Sequence, residues 1–395
     1  MAPLPLPPGP VSNGEYVPGP PRARDQAVHH EIRRSIDDAA AAVGMDRRRF
    51  LQSAGATAAS LAVFNLAACS NSTPHATGPT GTTAPAGTFA VPPATDLPAC
   101  DHALASQGEF IVDVHTHHVM PDGPWRHNAP ATVGLIEAMV PGGCQASDRL
   151  QCVNQANYLH DVFLASDTSV AMLTDVPNSG PDNAPLPFPA AVNTAEMVAQ
   201  LAHGGANRLL VNNVIAPNVG PLGAHLDAMA AAVAGGQVAS FKVYTAWNPT
   251  GPGFSLEDPA IGLPVIQHAH DLGVKVFVAH KGLPLVQFDA SHNGPEDIVA
   301  VSRQFPDMQF VVFHAAWDPR QREGPYNPQS RLGIDLLLAA LDRHHIPPND
   351  NVWVDLGTVW RQLLTDPDQA AHMLGKLLTR VGEDRVLWGT DAIWY

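Results

Sequence analysis

From Phe110 onward, short apolar runs alternate with longer stretches whose apolar residues recur every three or four positions. Eight runs stand out: Phe110–Val114, Val170–Leu173, Arg208–Asn212, Ser240–Tyr244, Val274–Val278, Met308–Phe313, Asn351–Asp355 and Arg385–Trp388. Their near-continuous apolar character suits strands buried on both faces. Helical spacing predicts amphipathic helices at Ala191–Ala202, Leu263–Leu272, Ile334–Asp342 and Pro367–Thr379. Eight strands alternating with helices predict an α/β fold, a TIM-type (β/α)8 barrel over residues 109–395. A doubly wound sheet is the alternative, but no Gly-x-Gly-x-x-Gly follows the first strand. The sequence reaches Tyr395 just past the eighth run, before the helix a barrel expects there. The barrel therefore reads as truncated after strand eight.

Ahead of the barrel the pattern changes. Residues 1–44 are Pro-rich, then polar, and read as a mostly disordered N-terminal extension with a short helix around Ala27–Val43. Residues 45–69 hold Arg47-Arg48-Arg49 before a short, mildly apolar segment, the layout of an export signal. In detail the segment resembles a twin-arginine signal. It is too short to span a bilayer comfortably, and a buried amphipathic helix is the competing reading. Leu66-Ala67-Ala68-Cys69 resembles a lipobox, in which the Cys is acylated; an ordinary signal-peptidase site nearby is the alternative. Met45 is a possible start, which would remove residues 1–44 from the protein. Residues 70–108, rich in Thr, Pro, Ala and Gly, read as a flexible linker. The expected location is therefore outside the cytoplasm, in the cell envelope, with membrane contact only if the lipobox-like Cys69 is acylated.

Composition narrows the function classes. Of 395 residues, 45% are hydrophobic and 15% charged, ample for a core. Net charge is −15; residues 1–69 carry 7 Arg against 6 Asp or Glu, and the remainder is strongly acidic. An acidic body excludes nucleic acid as the expected partner and leaves a small-molecule substrate. Four Cys with no Cys-x-x-Cys pair exclude a disulfide framework or a zinc ribbon. Beyond Cys69 and Cys100, export permits a disulfide, and Cys144 with Cys152 is the preferred pair.

In a barrel, chemistry sits at the C-terminal strand ends. The first strand ends in Asp113-Val-His115-Thr-His117, and residues i and i+2 on a strand point the same way. His280 ends the fifth strand, His314 the sixth, and Asp391 the eighth. One histidine at a strand end is usually a hydrogen-bonded loop residue. Polar residues at the ends of strands one, five, six and eight together point to one site. Three imidazoles and a carboxylate suit Zn2+ or a similar divalent ion.

These motifs resemble the amidohydrolase superfamily, in detail the amidohydrolase-related branch that includes decarboxylases similar to aminocarboxymuconate semialdehyde decarboxylase. The matching residues are Asp-Val-His-Thr-His at 113–117, His280, His314 and Trp-Gly-Thr-Asp at 388–391. The resemblance implies a TIM-type barrel and a divalent metal with a bound water. It implies His115, His117, His280 and Asp391 as metal ligands, Asp391 also accepting the water's proton. It gives His314 as a second-metal ligand or a general acid/base. Lys242 on the fourth strand is either a carbamylated bridge between two ions or a structural or substrate-contacting residue, its Phe-Lys resembling that of one-metal relatives. His118 reads as a loop or supporting residue, and His268 and His270 as surface residues.

Trp247, Trp317, Trp360 and Trp394 follow strand ends and, with Phe254, could line an apolar pocket above the metal. Packing of the barrel rim is their other reading. Arg320 and Arg322 follow the sixth strand and could grip a carboxylate. The expected function is a metal-dependent hydrolase that cleaves an amide, lactone or ester bond of a small molecule by attack of metal-bound hydroxide. The alternatives are a metal-dependent non-oxidative decarboxylase on the same barrel and a non-catalytic exported binding protein.

Overall fold

The computed structural model describes residues 23–42, 110–202, 207–285, 288–392 and 394. The export-signal segment and the linker lie outside these residues. Helix α1 spans Ala23–Ala42. Its side chains at Ile32, Ile36 and Ala40 are buried, a four-residue spacing that defines one apolar face. This helix overlaps the one expected around Ala27–Val43, whose last residue lies outside the described residues, as do residues 1–22.

Eight strands follow: β1 Ile111–Thr116, β2 Thr168–Leu173, β3 Leu209–Ile215, β4 Ser240–Val243, β5 Val276–His280, β6 Gln309–Phe313, β7 Val352–Asp355 and β8 Val386–Leu387. Each pairs in parallel with the next, in the order β1 to β8. The first and last come together through backbone bonds from Val114 N to the Trp388 carbonyl (3.0 Å) and from Asp391 N to the His115 carbonyl (2.8 Å). A parallel bridge joins Thr116 to Ala392. This is the TIM-type barrel that the alternation predicts.

The crossover helices are α5 Phe188–Leu201, α6 Leu222–Ala234, α7 Gly262–Asp271, α8 Glu296–Ser302, α9 Gly333–Arg343 and α11 Pro367–Leu377. Between β1 and β2 lie α2 Trp125–Asn128, α3 Pro130–Met139 and α4 Gln155–Leu159, and α10 Val359–Leu363 follows β7. Along β5 and β6, Phe277, Ala279, Phe310 and Val312 face the helices in the main core. Val278, Val311 and Phe313 form a separate cluster inside the barrel. This period-two division is why these strands are apolar throughout: each burying side chain contributes about 1.5–3 kcal/mol on either face.

Cys144 and Cys152 form a disulfide, the pair preferred from the sequence. Among the described residues no helix is long and apolar enough to cross a membrane.

Candidate metal centre

The i, i+2 argument for β1 holds in space. His115 and His117 are buried with ring centroids 5.0 Å apart. Both direct Nε2 at one oxygen of Asp391, His115 at 3.4 Å and His117 at 3.0 Å. Residues 276 positions apart in sequence thus meet, because β1 and the segment after β8 are neighbours in the closed barrel. His314 lies 5.0 Å from His115, centroid to centroid. His280 lies one ring further on, with its Nδ1 3.1 Å from His314 Nε2. His115, His117 and Asp391 form one tight donor group among the described residues; His280 adjoins it through His314.

Hydrogen bonds fix which nitrogen is free in His115, His314 and His280. Asp355, at the end of β7, stands 2.9 Å from His115 Nδ1. A carboxylate only accepts, so Nδ1 carries the proton and Nε2 keeps its lone pair toward Asp391. His314 Nδ1 faces the Gly357 carbonyl at 2.8 Å, and His280 Nε2 faces the Leu283 carbonyl at 3.2 Å. Both of those nitrogens must donate, which leaves His314 Nε2 and His280 Nδ1 as bare lone pairs facing each other. The lone pairs of His115, His314 and His280, together with the Asp391 carboxylate, are a donor set that a cation satisfies. The residues present therefore fit a divalent ion.

Asp355 also completes a second group with His115 and His314. Its oxygens are already engaged: Oδ2 accepts from His115 Nδ1 and from Gly357 N at 3.1 Å, and Oδ1 accepts from His314 N. It orients two imidazoles and is not a free ligand. The sequence reading missed it, although it ends β7 just as the predicted residues end their strands. Room for it comes from glycine. A Cβ on Gly357 would sit 2.6 Å from both Asp355 Oδ2 and His115 Nδ1, and one on Gly389 2.6 Å from the same oxygen.

Burial sets the electrostatics. It pushes His115 and His280 well below the usual imidazole range, and His117 downward. Burial would raise Asp391, but the imidazoles of His115 and His117 outweigh it and hold the carboxyl well below its usual range. Asp355 is raised to about 6 by burial, against His314. Thr358 Oγ1 donates to Asp391 Oδ2 at 2.5 Å. His314, Thr358 and Asp391 all adopt left-handed backbone, with φ of 62°, 61° and 63°. Such conformations cost about 1–3 kcal/mol each and persist where surrounding contacts over-determine them.

Lys242 of β4 is fully buried, its Nζ 3.4 Å from His115 Nε2 and 4.4 Å from the centre of the Phe313 ring. Burial lowers its pKa to about 7. Tyr244, beyond β4, stacks on His280 at 5.2 Å and also escaped the sequence reading. His118 points away, with its Nε2 3.0 Å from Thr194 Oγ1. Among the aromatics, Trp394 packs 5.1 Å from His117 and Trp247 lines a cavity described below. Trp317 and Phe254 are buried in the main core and Trp360 packs against it, so these three fill the rim rather than a pocket. Arg320 is exposed and bound to Asp318 at 2.5 Å, and Arg322 is exposed and bound to Asp366 at 2.8 Å. Both side chains are thus engaged with neighbouring carboxylates in this structure. His268 and His270 lie half-buried on the outer helix α7, tied to the Leu226 carbonyl and to Asp307.

A parallel barrel with histidines and a carboxylate converging at the C-terminal mouth defines the class of barrel enzymes compatible with a divalent metal. The amidohydrolase family model matches residues 112–394, and the chain belongs to that family. No curated protein matches the sequence. Among solved structures, the chain is similar to a dihydropteroate synthase of Xanthomonas albilineans in complex with indole-2-carboxylic acid and 6-chloroguanine. The match has 15% identity and a TM-score of 0.30, and covers 73% of this chain and 88% of that one. A likeness at that score carries no argument.

Proposed function

We propose that the protein is a metal-dependent hydrolase that cleaves an amide, lactone or ester bond of a small molecule. The observation that carries this reading is the convergence of His115 Nε2 and His117 Nε2 on one oxygen of Asp391. His115, His117 and Asp391 would hold the ion, with His280 completing the set; zinc suits these donors. When bound, such an ion polarises the scissile carbonyl and makes water more acidic. Asp391 is held ionised by its imidazole neighbours, so it can take a proton from the attacking water and return it to the leaving group. The hydroxyl of Thr358 fixes the second oxygen of Asp391, which leaves Oδ1 directed at the two imidazoles. The Lys242 ammonium is the donor placed to steady negative charge on a carbonyl oxygen, and the bare Nε2 of His314 is placed to accept a proton.

Decarboxylation requires a carboxylate substrate. The test is product analysis across a panel of lactones, esters, amides and aromatic acids, with and without a chelator. Chelator-sensitive hydrolysis supports the reading; carbon dioxide release without hydrolysis replaces it with the decarboxylase.

We further propose that the protein works outside the cytoplasm. The Arg47-Arg48 segment and the lipobox-like Leu66–Cys69 support this, as does a disulfide between Cys144 and Cys152. A fusion carrying Arg47→Lys and Arg48→Lys that is exported as well as the parent would count against this route.

A further inference from the structure

A cavity of about 280 Å3 opens beside the metal centre. One wall is α3, which presents Ala131, Leu135 and Ala138, positions i, i+4 and i+7 of one helical stripe. Opposite stand Val176 after β2, Trp247 after β4 and Phe288 after β5. The opposite side of α3 is anchored in a core, through Ile136 and its neighbour Val140. The helix thus turns one apolar face to the protein and the other to the cavity. Phe288 joins cavity to chemistry: its ring stands 4.9 Å from His280 and packs edge-on against it. An engineered apolar cavity of about 150 Å3 accepts benzene, so this one has room for a ring with a short substituent.

The C-terminal end of α3 is held from within the disulfide loop. Arg149, between Cys144 and Cys152, donates from Nη2 to the Val140 carbonyl at 2.9 Å and from Nε to the Glu137 carbonyl at 3.4 Å. A guanidinium there satisfies carbonyls that lack helical partners and opposes the helix dipole. The disulfide fixes the short turn Arg149–Val153, the turn places Arg149, and Arg149 fixes the cavity wall.

We propose that α3, braced by the disulfide-closed loop that follows it, is a specificity element. It takes the apolar part of the substrate, a branched alkyl group or a single aromatic ring, against Leu135, Trp247 and Phe288. Arg149 is its positioning residue. The inference deepens the hydrolase reading and rests on it for the word substrate, but the binding test below does not. p-Cresol is the probe, because it has a ring of the right size and no scissile bond. Its affinity is measured by titration calorimetry on the full chain with the disulfide intact.

Wild-type protein is expected to bind p-cresol, and Leu135→Trp, which fills the cavity, to bind it at least tenfold more weakly. Ala138→Leu narrows the same space from an exposed position and is expected to weaken binding without endangering the fold. Arg149→Gln is expected to weaken binding several-fold and Arg149→Lys to restore part of it. With substrates of graded size, these changes should raise KM for ring-bearing members and leave kcat unchanged. Unaltered p-cresol affinity in both Leu135→Trp and Ala138→Leu overturns the cavity. Weakened binding there with unaltered affinity in Arg149→Gln overturns the role of Arg149. p-Cresol binding that follows these expectations in protein without hydrolytic activity would sink the hydrolase reading and leave the cavity standing.

Discussion

Asp355→Asn is the sharpest perturbation of the centre, because it keeps shape and removes only the charge and one acceptor. Both oxygens of Asp355 accept: Oδ1 from His314 N, Oδ2 from His115 Nδ1 and Gly357 N. An asparagine must place its NH2 group at one of these positions. Toward His314 N it puts donor against donor. Toward His115 it still opposes Gly357 N–H, and it forces the imidazole to accept at Nδ1, which moves the ring proton to Nε2 and removes the lone pair aimed at Asp391. Either way a buried donor is left unsatisfied, at about 1–3 kcal/mol. Loss of such an outer partner typically weakens metal binding by about 10–100-fold, which is about 1.4–2.7 kcal/mol at 25 °C. The assay is competition between the protein and a chromophoric zinc chelator, with melting temperature measured on the metal-free protein. The expected result is a weaker zinc affinity within that range and a lower melting temperature in the metal-free state. An asparagine variant that holds zinc as tightly as wild type would refute the assignment of His115 Nε2 as a ligand atom.

Other expectations follow from the same packing. Gly389→Ala places a Cβ 2.6 Å from Asp355 Oδ2 and 3.0 Å from His115 Cβ; overpacking of this kind costs about 1–3 kcal/mol, and calorimetry should show a lower melting temperature together with weaker zinc binding. Lys376 is buried between Glu323 (2.5 Å) and Asp335 (2.7 Å), themselves buried; Lys376→Met strands both carboxyls and should cost about 3–5 kcal/mol in urea denaturation, and an unchanged midpoint would contradict the pairing. Asp307 is held at about 2, chiefly by its bond from Lys275 and then by His270. Its folded pKa is depressed, so it adds stability above the ordinary carboxylate pKa and loses it as pH falls from about 4 to 2. Asp307→Asn should flatten the pH dependence of melting in that window, most visibly at low salt, and an identical slope would count against the ion pair.

The barrel was legible because its strands are covered on both faces, so each reads as an apolar run between amphipathic helices. All eight lie within a few residues of their predicted positions, although Phe110, expected inside the first strand, is an exposed residue ahead of it. The meeting of His115, His117 and Asp391 was legible for the same reason: position at a strand end fixes which side chains share the mouth. Asp355 obeys that rule too, but a lone carboxylate at the end of a strand has no neighbouring motif to mark it as a partner of an imidazole. The loops were less legible. Arg320 and Phe254 both follow strands, yet Arg320 folds back on Asp318 two residues away and Phe254 sinks into the core. Nothing in a linear pattern says which way a loop side chain turns. The tautomers are tertiary properties as well, set by carbonyls of Gly357 and Leu283 that no spacing reveals.

The most direct test is elemental analysis of purified wild-type protein beside Asp391→Asn, with circular dichroism to show that both are folded. The account predicts a stoichiometric divalent ion in the wild type and its loss in the variant. A folded wild-type protein free of metal, or a variant that keeps the full complement, would contradict it.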